Sequence, residues 1–430
     1  MTRVGRFGVL PAWTGAWARD SFVILASQPL TVVATSLVAI LVARELSPAD
    51  WAYFSAFLGL ALGFAILIDL GLTAWLIREL ARIAADSADE HGRHESGRLL
   101  SAALTFNAGA ASALALIAFV AAALLDASTE TILLLGNFVA YVGLLAMASA
   151  LEARLRALRR VGRVTCAVLL EKLLLLILIG GVVVLSDAGV NEIAVAYPVA
   201  GAARLTFSAV STLPGVALFL PSASAVAQAI RASAPFALSA GALTFIPRLD
   251  TIVLLSFSTT SAAYIALAER VVGPALLVPV VLSISLYPFI ARSKSASVEW
   301  RLVGVLAFLG LLFAIVGIFL APFLIPFVFG EKYRDAIPTV QVFMLILPFA
   351  YATNVLLAFV YSARREVLVL VVTLGISLVG TGAVVVGQAI GGATTAAAGV
   401  VLRQALFTLG LIAIGFRLSR ASEPSLGRPR

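Results

Sequence analysis

Nine ionisable side chains stand inside long apolar stretches of the sequence. A charge at the centre of a bilayer costs at least about 2.5–3.5 kcal/mol, so such a residue normally faces an opposite charge or a water-filled cavity. Their types indicate ion pairing, anion binding or ion coupling rather than covalent chemistry. Five are cationic and four are anionic, and they are Asp69, Glu171, Lys172, Arg204, Arg248, Asp250, Glu269, Arg270 and Arg403.

Four of these charges fall on two consecutive apolar stretches joined by a tight turn. Counting the same number of residues in both directions from the turn places Asp250 level with Glu269. The same count places Arg248 level with Val271, next to Arg270. At 1.5 Å per residue all four lie roughly 14–17 Å below the turn, near mid-membrane. They could form an interhelical salt bridge with no transport role. Alternatively, Arg248 and Arg270 line a cavity and bind an anionic group, since the planar guanidinium binds phosphate through two hydrogen bonds.

The remaining embedded charges are candidates for several roles. Asp69 could bind a coupling proton or cation, or it could pair with a basic side chain on a neighbouring helix. Glu171 and Lys172 lie near the inner end of one stretch, where a long side chain can snorkel to the membrane surface. Arg204 and Arg403 each lie roughly ten residues inside a stretch and are candidate cavity residues without an assigned partner.

No residue pattern indicates an enzyme or a metal site. The sequence has no G-x-S-x-G nucleophile elbow, no phosphate-binding P-loop and no paired carboxylates in a loop outside the apolar stretches. Cys166 is the only cysteine. The pair His91 and His94 has metal-binding spacing but no third ligand nearby, so a solvated loop is the stronger interpretation. We therefore expect no catalytic residue, no metal and no cofactor.

The composition indicates that these charges lie in a membrane. The chain has 430 residues, 61% hydrophobic and 12% charged, with a mean hydropathy of +1.07. Soluble domains are roughly 45–50% apolar and about 25% charged. Each crossing needs about 20 apolar residues, and a spanning segment must be helical to satisfy its own backbone. About twelve helices are predicted, at 22–43, 52–77, 99–125, 131–151, 165–186, 193–219, 235–257, 262–291, 302–329, 338–362, 366–388 and 394–417.

Alternate loops differ in their content of lysine and arginine, which predicts the orientation. With the N-terminus inside, the cytoplasmic segments contain 22 of the 30 basic residues and the opposite segments contain 3. Positive charge favours the cytoplasmic side, so both termini are predicted to be cytoplasmic. The net charge of +8 is thereby assigned to membrane orientation, and no nucleic-acid partner is expected.

A faint internal repeat divides the chain into two halves of six spans each. The turn at 47–53 reads SPADWAY and the turn at 258–264 reads STTSAAY, an offset close to half the chain. The predicted organisation is a cytoplasmic N-terminal segment (1–21), an N-lobe (22–219), a linker (220–234), a C-lobe (235–418) and a cytoplasmic tail (419–430).

Several segments carry a family resemblance that extends over most of the chain. They are ARELSPADWAYFSAFLGLALGFAILIDLGLTAWLIREL (43–80), APFALSAGALTFIPRLDTIVLL (234–255), LYPFIAR (286–292) and FVFGEKYRDAIPTVQVFML (327–345). These segments resemble the polysaccharide-biosynthesis flippases, the exporters of O-antigen and lipid-linked oligosaccharide. That family belongs to the multidrug/oligosaccharidyl-lipid/polysaccharide (MOP) superfamily.

The resemblance implies an all-α, MATE-like bundle of two lobes around a cationic cavity in the plasma membrane. Such a protein takes an undecaprenyl-diphosphate-linked glycan from the inner to the outer leaflet by alternating access. By position, Arg248 and Asp250 match the family's pair on the seventh span, and Asp69 matches its acid on the second. The spans of this sequence contain five cations and four acids. This balance differs from the strongly cationic cavity that the resemblance implies. The implied partners are the lipid-linked substrate, membrane lipids, a coupling H⁺ or Na⁺, and glycan polymerases or glycosyltransferases.

Two other functions remain open from the sequence. A multidrug or cation antiporter of the same superfamily would share the fold and the embedded acids. A non-transporting membrane scaffold in a glycan-assembly complex would need the embedded charges only for packing. Our leading hypothesis is the flippase, with Arg248 and Arg270 contacting the diphosphate and with Asp250, Glu269, Arg204 and Arg403 as further cavity residues.

Overall fold

A computed structural model of the chain describes residues 15–86, 90–185, 189–214, 216–292, 299–362 and 366–422. These residues are almost entirely helical, with one 3-10 segment, Glu331–Ala336, and no strand among them. The helices are α1 (Gly15–Glu45), α2 (Pro48–Asp69), α3 (Leu72–Asp86), α4 (Glu90–Leu124), α5 (Thr129–Ala157), α6 (Val161–Leu185), α7 (Val190–Thr212), α8 (Ala223–Phe257), α9 (Thr259–Arg292), α10 (Trp300–Phe329), α11 (Ile337–Met344), α12 (Ile346–Ser362) and α13 (Glu366–Ser422).

Within this described part of the chain, nine helical segments are long and apolar enough to cross a membrane. Their outer surfaces are apolar as lipid contact requires; on α10, Phe308, Phe319 and Phe323 are all largely exposed. In lipid each backbone polar group must be satisfied internally, which a continuous helix does. The prediction of an all-α, multi-pass membrane protein is confirmed.

The predicted second span, 52–77, is wrong at its inner end. The helix α2 stops at Asp69 because Leu70 and Gly71 have positive φ angles of 41° and 72°. This left-handed conformation suits glycine and is rare for leucine, so the break is set by the surroundings rather than by Leu70 alone. The chain resumes as α3, an amphipathic helix that buries Leu72, Leu76 and Leu80.

Two further boundaries differ from prediction and move charged residues into new places. The predicted fourth span ended at residue 151, whereas α5 continues to Ala157 and places Glu152 within the helix. The predicted sixth span ended at 219, whereas α7 ends at Thr212. The helix α8 begins at Ala223, so most of the predicted linker 220–234 belongs to α8.

The last helix, α13, is a hairpin of two antiparallel arms, 366–390 and 393–422. The backbone leaves helical geometry at Gly391 and Gly392, where φ is −150° and 70°. Close contacts then pair residues symmetrically about this bend. A Cβ added to Gly387 would lie 2.4 Å from the carbonyl oxygen of Thr395, and one added to Gly399 would lie 2.7 Å from the amide of Val384. Only glycine lets the two arms approach this closely.

Helices of the first and second halves of the chain pack into one bundle. In the first half α5 packs against α4 and α7, and α6 packs against α1 and α7. In the second half α12 packs against α9, α10 and α13. The two halves meet chiefly where α2 contacts α8 and α9. We call the end of the bundle with the α1–α2 and α8–α9 turns the hairpin end, and the opposite end, where α7 leads into α8, the linker end.

The glycine contacts between the arms of α13 generate a stability prediction. Gly399→Leu should destabilise the protein by about 1–3 kcal/mol, because its Cβ would press on the backbone of the other arm. Gly382→Leu is the matched control, since a Cβ there meets no atom within 4 Å. Thermal unfolding in detergent, followed by size-exclusion chromatography, measures both. Equal melting temperatures for the two variants would contradict the close packing of the arms.

Candidate functional site

The most extensive polar contact within the bundle centres on Arg204 of α7. Its Nε and Nη2 atoms donate to the two carboxylate oxygens of Glu152 on α5, at 2.8 and 2.9 Å. Its Nη1 atom donates to Glu171 Oε2 on α6 at 2.7 Å. Both carboxylates are fully buried, and only 11% of the Arg204 side chain is exposed. One guanidinium therefore joins three helices through charge-assisted hydrogen bonds, the strong class of such bonds.

Glu171 has further partners on its second oxygen. The Tyr141 hydroxyl donates to Glu171 Oε1 at 2.6 Å, and the Lys172 ammonium donates to the same atom at 2.7 Å. The expectation that Glu171 could snorkel is wrong, because its carboxylate is satisfied inside the bundle by three donors. Lys172 is 19% exposed and lies at the edge of this network.

Glu152 was missed by the sequence analysis because the predicted span ended one residue before it. In the structure its carboxylate also accepts a hydrogen bond from the Ser208 hydroxyl at 3.2 Å. Arg156, one helical turn further along, pairs with it at 3.4 Å. The spacing of Glu152 and Arg156 is typical of a helix that continues past the apolar run, and it is the signal by which the sequence could have revealed this residue.

In the second half of the chain, Asp250 and Arg403 form a bidentate ion pair between α8 and the second arm of α13. The guanidinium nitrogens lie 2.7 and 2.6 Å from the two carboxylate oxygens. Asp250 is 1% exposed and Arg403 is 11% exposed. The stem of Arg403 fits against Gly380, where a Cβ would come within 2.3 Å of Arg403 Cγ. Asp250 therefore finds its partner on a distant helix, whereas the sequence had placed it level with Glu269.

A cavity of about 140 Å³ lies where the two halves meet. Lys172 enters it from α6 and Arg270 from α9, so the cations come from opposite halves of the chain. None of the described residues that line the cavity is acidic, and Glu269 is not among them. The lining residues are Thr35, Val38, Ala39, Trp51, Phe54, Leu58, Leu62, Tyr141, Leu145, Lys172, Leu175, Tyr197 and Arg270. The cavity thus presents two cationic side chains between apolar walls, and one of them, Lys172, is paired with Glu171 behind the lining.

Two predicted site residues are not among the described residues that line this cavity. The carboxylate of Asp69 accepts hydrogen bonds from the Thr73 amide at 3.2 Å and from its hydroxyl at 2.6 Å. It therefore stabilises the first turn of α3 after the break, and its role in ion coupling stays a prediction. The side chain of Arg248 lies outside the described part of the structure, so its predicted contact with substrate also stays a prediction.

At the hairpin end, Lys332 ties the two halves of the chain together. From the 3-10 segment its ammonium donates to the carbonyl oxygens of Arg44 and Leu46, at 2.6 Å each. These carbonyls belong to the end of α1, which has no further turn to satisfy them. Arg44 in turn donates to the carbonyl oxygen of Phe327 at 3.4 Å. We call the contact of Lys332 with Arg44 and Leu46 the hairpin-end latch.

The long apolar helices, with buried ion pairs between them, are those of a multi-pass membrane protein. Within that class, the chain belongs to the polysaccharide biosynthesis protein family, whose model matches residues 17–294. No curated protein sequence matches the chain significantly. The family resemblance seen in the sequence is confirmed.

Solved structures show the same fold at low sequence identity. An inward-facing multidrug resistance MATE transporter of the MOP superfamily is 16% identical, with a TM-score of 0.75 over 94% of this chain and 99% of that one. The lipid II flippase MurJ, in an inward closed conformation, is 14% identical, with a TM-score of 0.71 over 94% and 90%. The Vibrio cholerae MATE transporter VcmN is 15% identical, with a TM-score of 0.65 over 95% and 99%. At these identities the likeness establishes a MATE-like fold.

The ion pair of Asp250 and Arg403 predicts a coupling between substitutions. Asp250→Asn leaves a buried guanidinium without its counter-charge and should cost about 3–5 kcal/mol of stability. The double variant with Arg403→Gln removes both charges and should recover part of that loss. Thermal unfolding of the wild type, both single variants and the double variant measures the coupling. Strictly additive effects would show that the two side chains do not interact.

Proposed function

We propose that the protein is a flippase that moves a polyprenyl-diphosphate-linked oligosaccharide, such as an undecaprenyl-diphosphate-linked glycan, across the plasma membrane by alternating access. It acts without catalysing a reaction. The observation that carries the proposal is the meeting of Lys172 and Arg270, from opposite halves, in one cavity whose described lining contains no acid. An intramembrane cavity of this charge suits a diphosphate, whose oxygens accept bonds from both cation types.

The contacts of Glu171 make Lys172 available to a ligand. If the Lys172 ammonium turns toward a diphosphate, Glu171 keeps Arg204 and Tyr141 as partners. The move therefore leaves no bare buried carboxylate, which would cost several kcal/mol. Arg204 is held by two carboxylates and Arg403 by one, so both act first as supports that fix the helices around the cavity.

The predicted site is accordingly revised. We add Lys172 as a diphosphate contact and retain Arg270 and Arg248. Asp250 joins Arg403 as a support of the C-lobe side of the cavity, and Glu269 keeps its predicted place next to Arg270. A proton or Na⁺ at Asp69 remains our proposal for the coupling ion.

We further propose twelve crossings with both termini in the cytoplasm. The helices α1, α2 and α4 to α10 contribute one crossing each, α11 and α12 together form one, and the arms of α13 form two. The hairpin end is then extracytoplasmic and the linker end cytoplasmic. The two lobes, 22–219 and 235–418, are the bodies that rock against each other, and glycan polymerases or glycosyltransferases are the expected partners.

The size of the cavity indicates that transport requires such a movement. A volume of about 140 Å³ is below the roughly 300–1,000 Å³ of pockets that enclose whole ligands. It accommodates a small polar head but not an oligosaccharide. The lobes must therefore separate on one side to admit the glycan, while the hairpin-end latch keeps the other side closed.

Neutralising the two cavity cations tests the flippase directly. Lys172→Gln and Arg270→Gln should each lower export of the surface polysaccharide about tenfold or more, since each removes a charge-assisted contact to the diphosphate. Arg334→Gln is the matched control, because this exposed arginine pairs with Glu331 of its own short segment, at 2.8 Å. Export is measured as surface glycan per unit of membrane-inserted protein. Normal export by both cavity variants at normal abundance would refute the site.

A multidrug or cation antiporter is the second candidate, because the MATE transporters share the fold. The cavity charge separates the two functions: Lys172 and Arg270 repel a cationic drug and attract a phosphate. Drug efflux that persists in the Lys172→Gln and Arg270→Gln variants, without any change in surface glycan, would favour the antiporter.

The hairpin-end latch predicts a shift in conformational population. Lys332→Met keeps the length of the side chain but removes the donor to Arg44 and Leu46, so opening on that side should become about five- to tenfold more frequent. Fully buried Ala52, near the hairpin end of α2, serves as reporter. In an Ala52→Cys protein with Cys166→Ser, a membrane-impermeant maleimide added to whole cells should label faster after Lys332→Met.

The control for the latch is Arg334→Gln, on the same 3-10 segment. It should leave the labelling rate of Ala52→Cys unchanged. An unchanged rate in Lys332→Met, or an equal increase in Arg334→Gln, would show that the ammonium does not hold the two halves together.

A further inference from the structure

We infer that the indole N–H of Trp51 is a sugar-binding donor, which contacts the glycan next to the diphosphate. The inference rests on the proposed function, since it assigns a further part of the same cavity. Trp51 lies on α2 and lines the cavity together with Lys172 and Arg270. It is the residue through which the protein would distinguish a glycosylated lipid diphosphate from a bare one.

The first observation is an unsatisfied hydrogen-bond donor. Trp51 is 0% exposed, and its Nε1 atom has no hydrogen-bond partner in the described part of the structure. A buried N–H without an acceptor costs free energy, and folded proteins leave few such groups unexplained. Because the indole nitrogen can only donate, the missing partner must be an acceptor. Trp51 lines the cavity, but its N–H is covered in this conformation, so a ligand supplies the acceptor once the lobes separate as the proposed function requires.

The second observation is that the indole ring is held in place. It stacks on Phe54 with ring centroids 6.1 Å apart and an interplanar angle of 16°. Phe54 in turn packs edge-on against Phe138 at 5.2 Å and against Tyr197 at 5.7 Å. A donor fixed by packing loses little conformational entropy on binding, which makes it suitable for recognition.

The third observation is depth, which separates the indole from the cations. Trp51 is the fourth residue of α2 from the hairpin end, and Arg270 is the twelfth residue of α9 from the same end. At 1.5 Å per residue, the backbone of Arg270 lies about 12 Å deeper. A diphosphate held by Lys172 and Arg270 therefore lies on the linker-end side of the indole. The part of the substrate that extends toward the hairpin end is the attached glycan.

The chemistry of the subsite follows from these positions. A sugar hydroxyl, ring oxygen or acetamido oxygen is an acceptor that the indole N–H can reach from a fixed ring. A site that presents a buried donor discriminates against a ligand that lacks the acceptor, because the donor then stays unpaired. Trp51 is thus a specificity residue for the glycosylated form of the lipid, while the cations bind both forms.

The experiment follows the indole N–H signals by NMR in detergent-solubilised, full-length protein labelled with ¹⁵N at tryptophan. Trp51→Phe assigns the Trp51 signal by its disappearance. The probes are farnesyl diphosphate and its conjugates with N-acetylglucosamine and with glucose. The Trp51 signal should move when a conjugate is added and stay in place with farnesyl diphosphate. Trp75, buried on α3 away from the cavity lining, provides the unmoved reference signal.

Affinity supplies the second measurement. Trp51→Phe should weaken binding of at least one conjugate about three- to tenfold, the effect of one lost hydrogen bond, and leave the affinity for farnesyl diphosphate within about twofold. Trp75→Phe should change neither. If Trp51→Phe does not fold, the signals of the wild-type protein still decide the matter, with assignment by elimination through the other tryptophans.

The outcomes separate this inference from the proposed function. If farnesyl diphosphate binds but neither conjugate moves the Trp51 signal, the indole holds only a water and the inference fails while the flippase stands. If all three probes move it equally, the indole contacts the diphosphate and the sugar assignment fails. If no probe binds, and Lys172→Gln and Arg270→Gln change nothing, the proposed function fails and the inference with it.

Discussion

The structure depends on the sharing of one arginine between two fully buried carboxylates. Arg204 bridges Glu152 and Glu171 and so joins α5, α6 and α7 at a depth where unpaired charge would be prohibitive. Removing the charges from water is costly, and only a complete set of close contacts offsets that cost. Tyr141 and Lys172 donate further hydrogen bonds to Glu171, and Ser208 and Arg156 donate further bonds to Glu152. Lys172 lies at the edge of this network and lines the cavity. It pairs with Glu171, which keeps Arg204 and Tyr141 as partners if Lys172 turns away.

The second half of the chain also contains a buried arginine, which pairs with one carboxylate instead of two. Arg403, on the last arm of the bundle, is held by Asp250 in a two-point contact across α8 and α13. Ion pairs inside each half make each half rigid, whereas the cavity and the hairpin-end latch lie between the halves. Motion between two stiff bodies is what alternating access needs. The Lys332 ammonium donates to two backbone carbonyls and lies 5.5 Å from the Tyr333 ring centroid, so the latch can open without breaking a described bond to a buried acid.

How much the sequence reveals depends on the range of the interaction. Apolar runs are local features, so the all-α, multi-pass character of the chain was predicted correctly, whereas the roles of the embedded ionisable residues stay predictions. Partner choice is not local: Asp250 meets Arg403, 153 residues away, and only the packing of α8 on α13 sets that contact. Glu152 was missed because hydropathy falls before the helix ends, and the break at Leu70 was missed because its left-handed backbone has no signal in the residue type. The indole of Trp51, which has no hydrogen-bond partner among the described residues, likewise becomes visible only in the packed structure.

The family places the chain in polysaccharide biosynthesis, and the two cavity cations support our proposal of a substrate with an anionic group. The most direct measurement is movement of a fluorescent polyprenyl-diphosphate oligosaccharide between leaflets of vesicles that contain only the purified protein. The account predicts that transfer is much faster than in protein-free vesicles, and that it is slowed by inorganic pyrophosphate, which occupies the cation pair of Lys172 and Arg270. Transfer no faster than in protein-free vesicles, with the protein folded and inserted in both orientations, would contradict it.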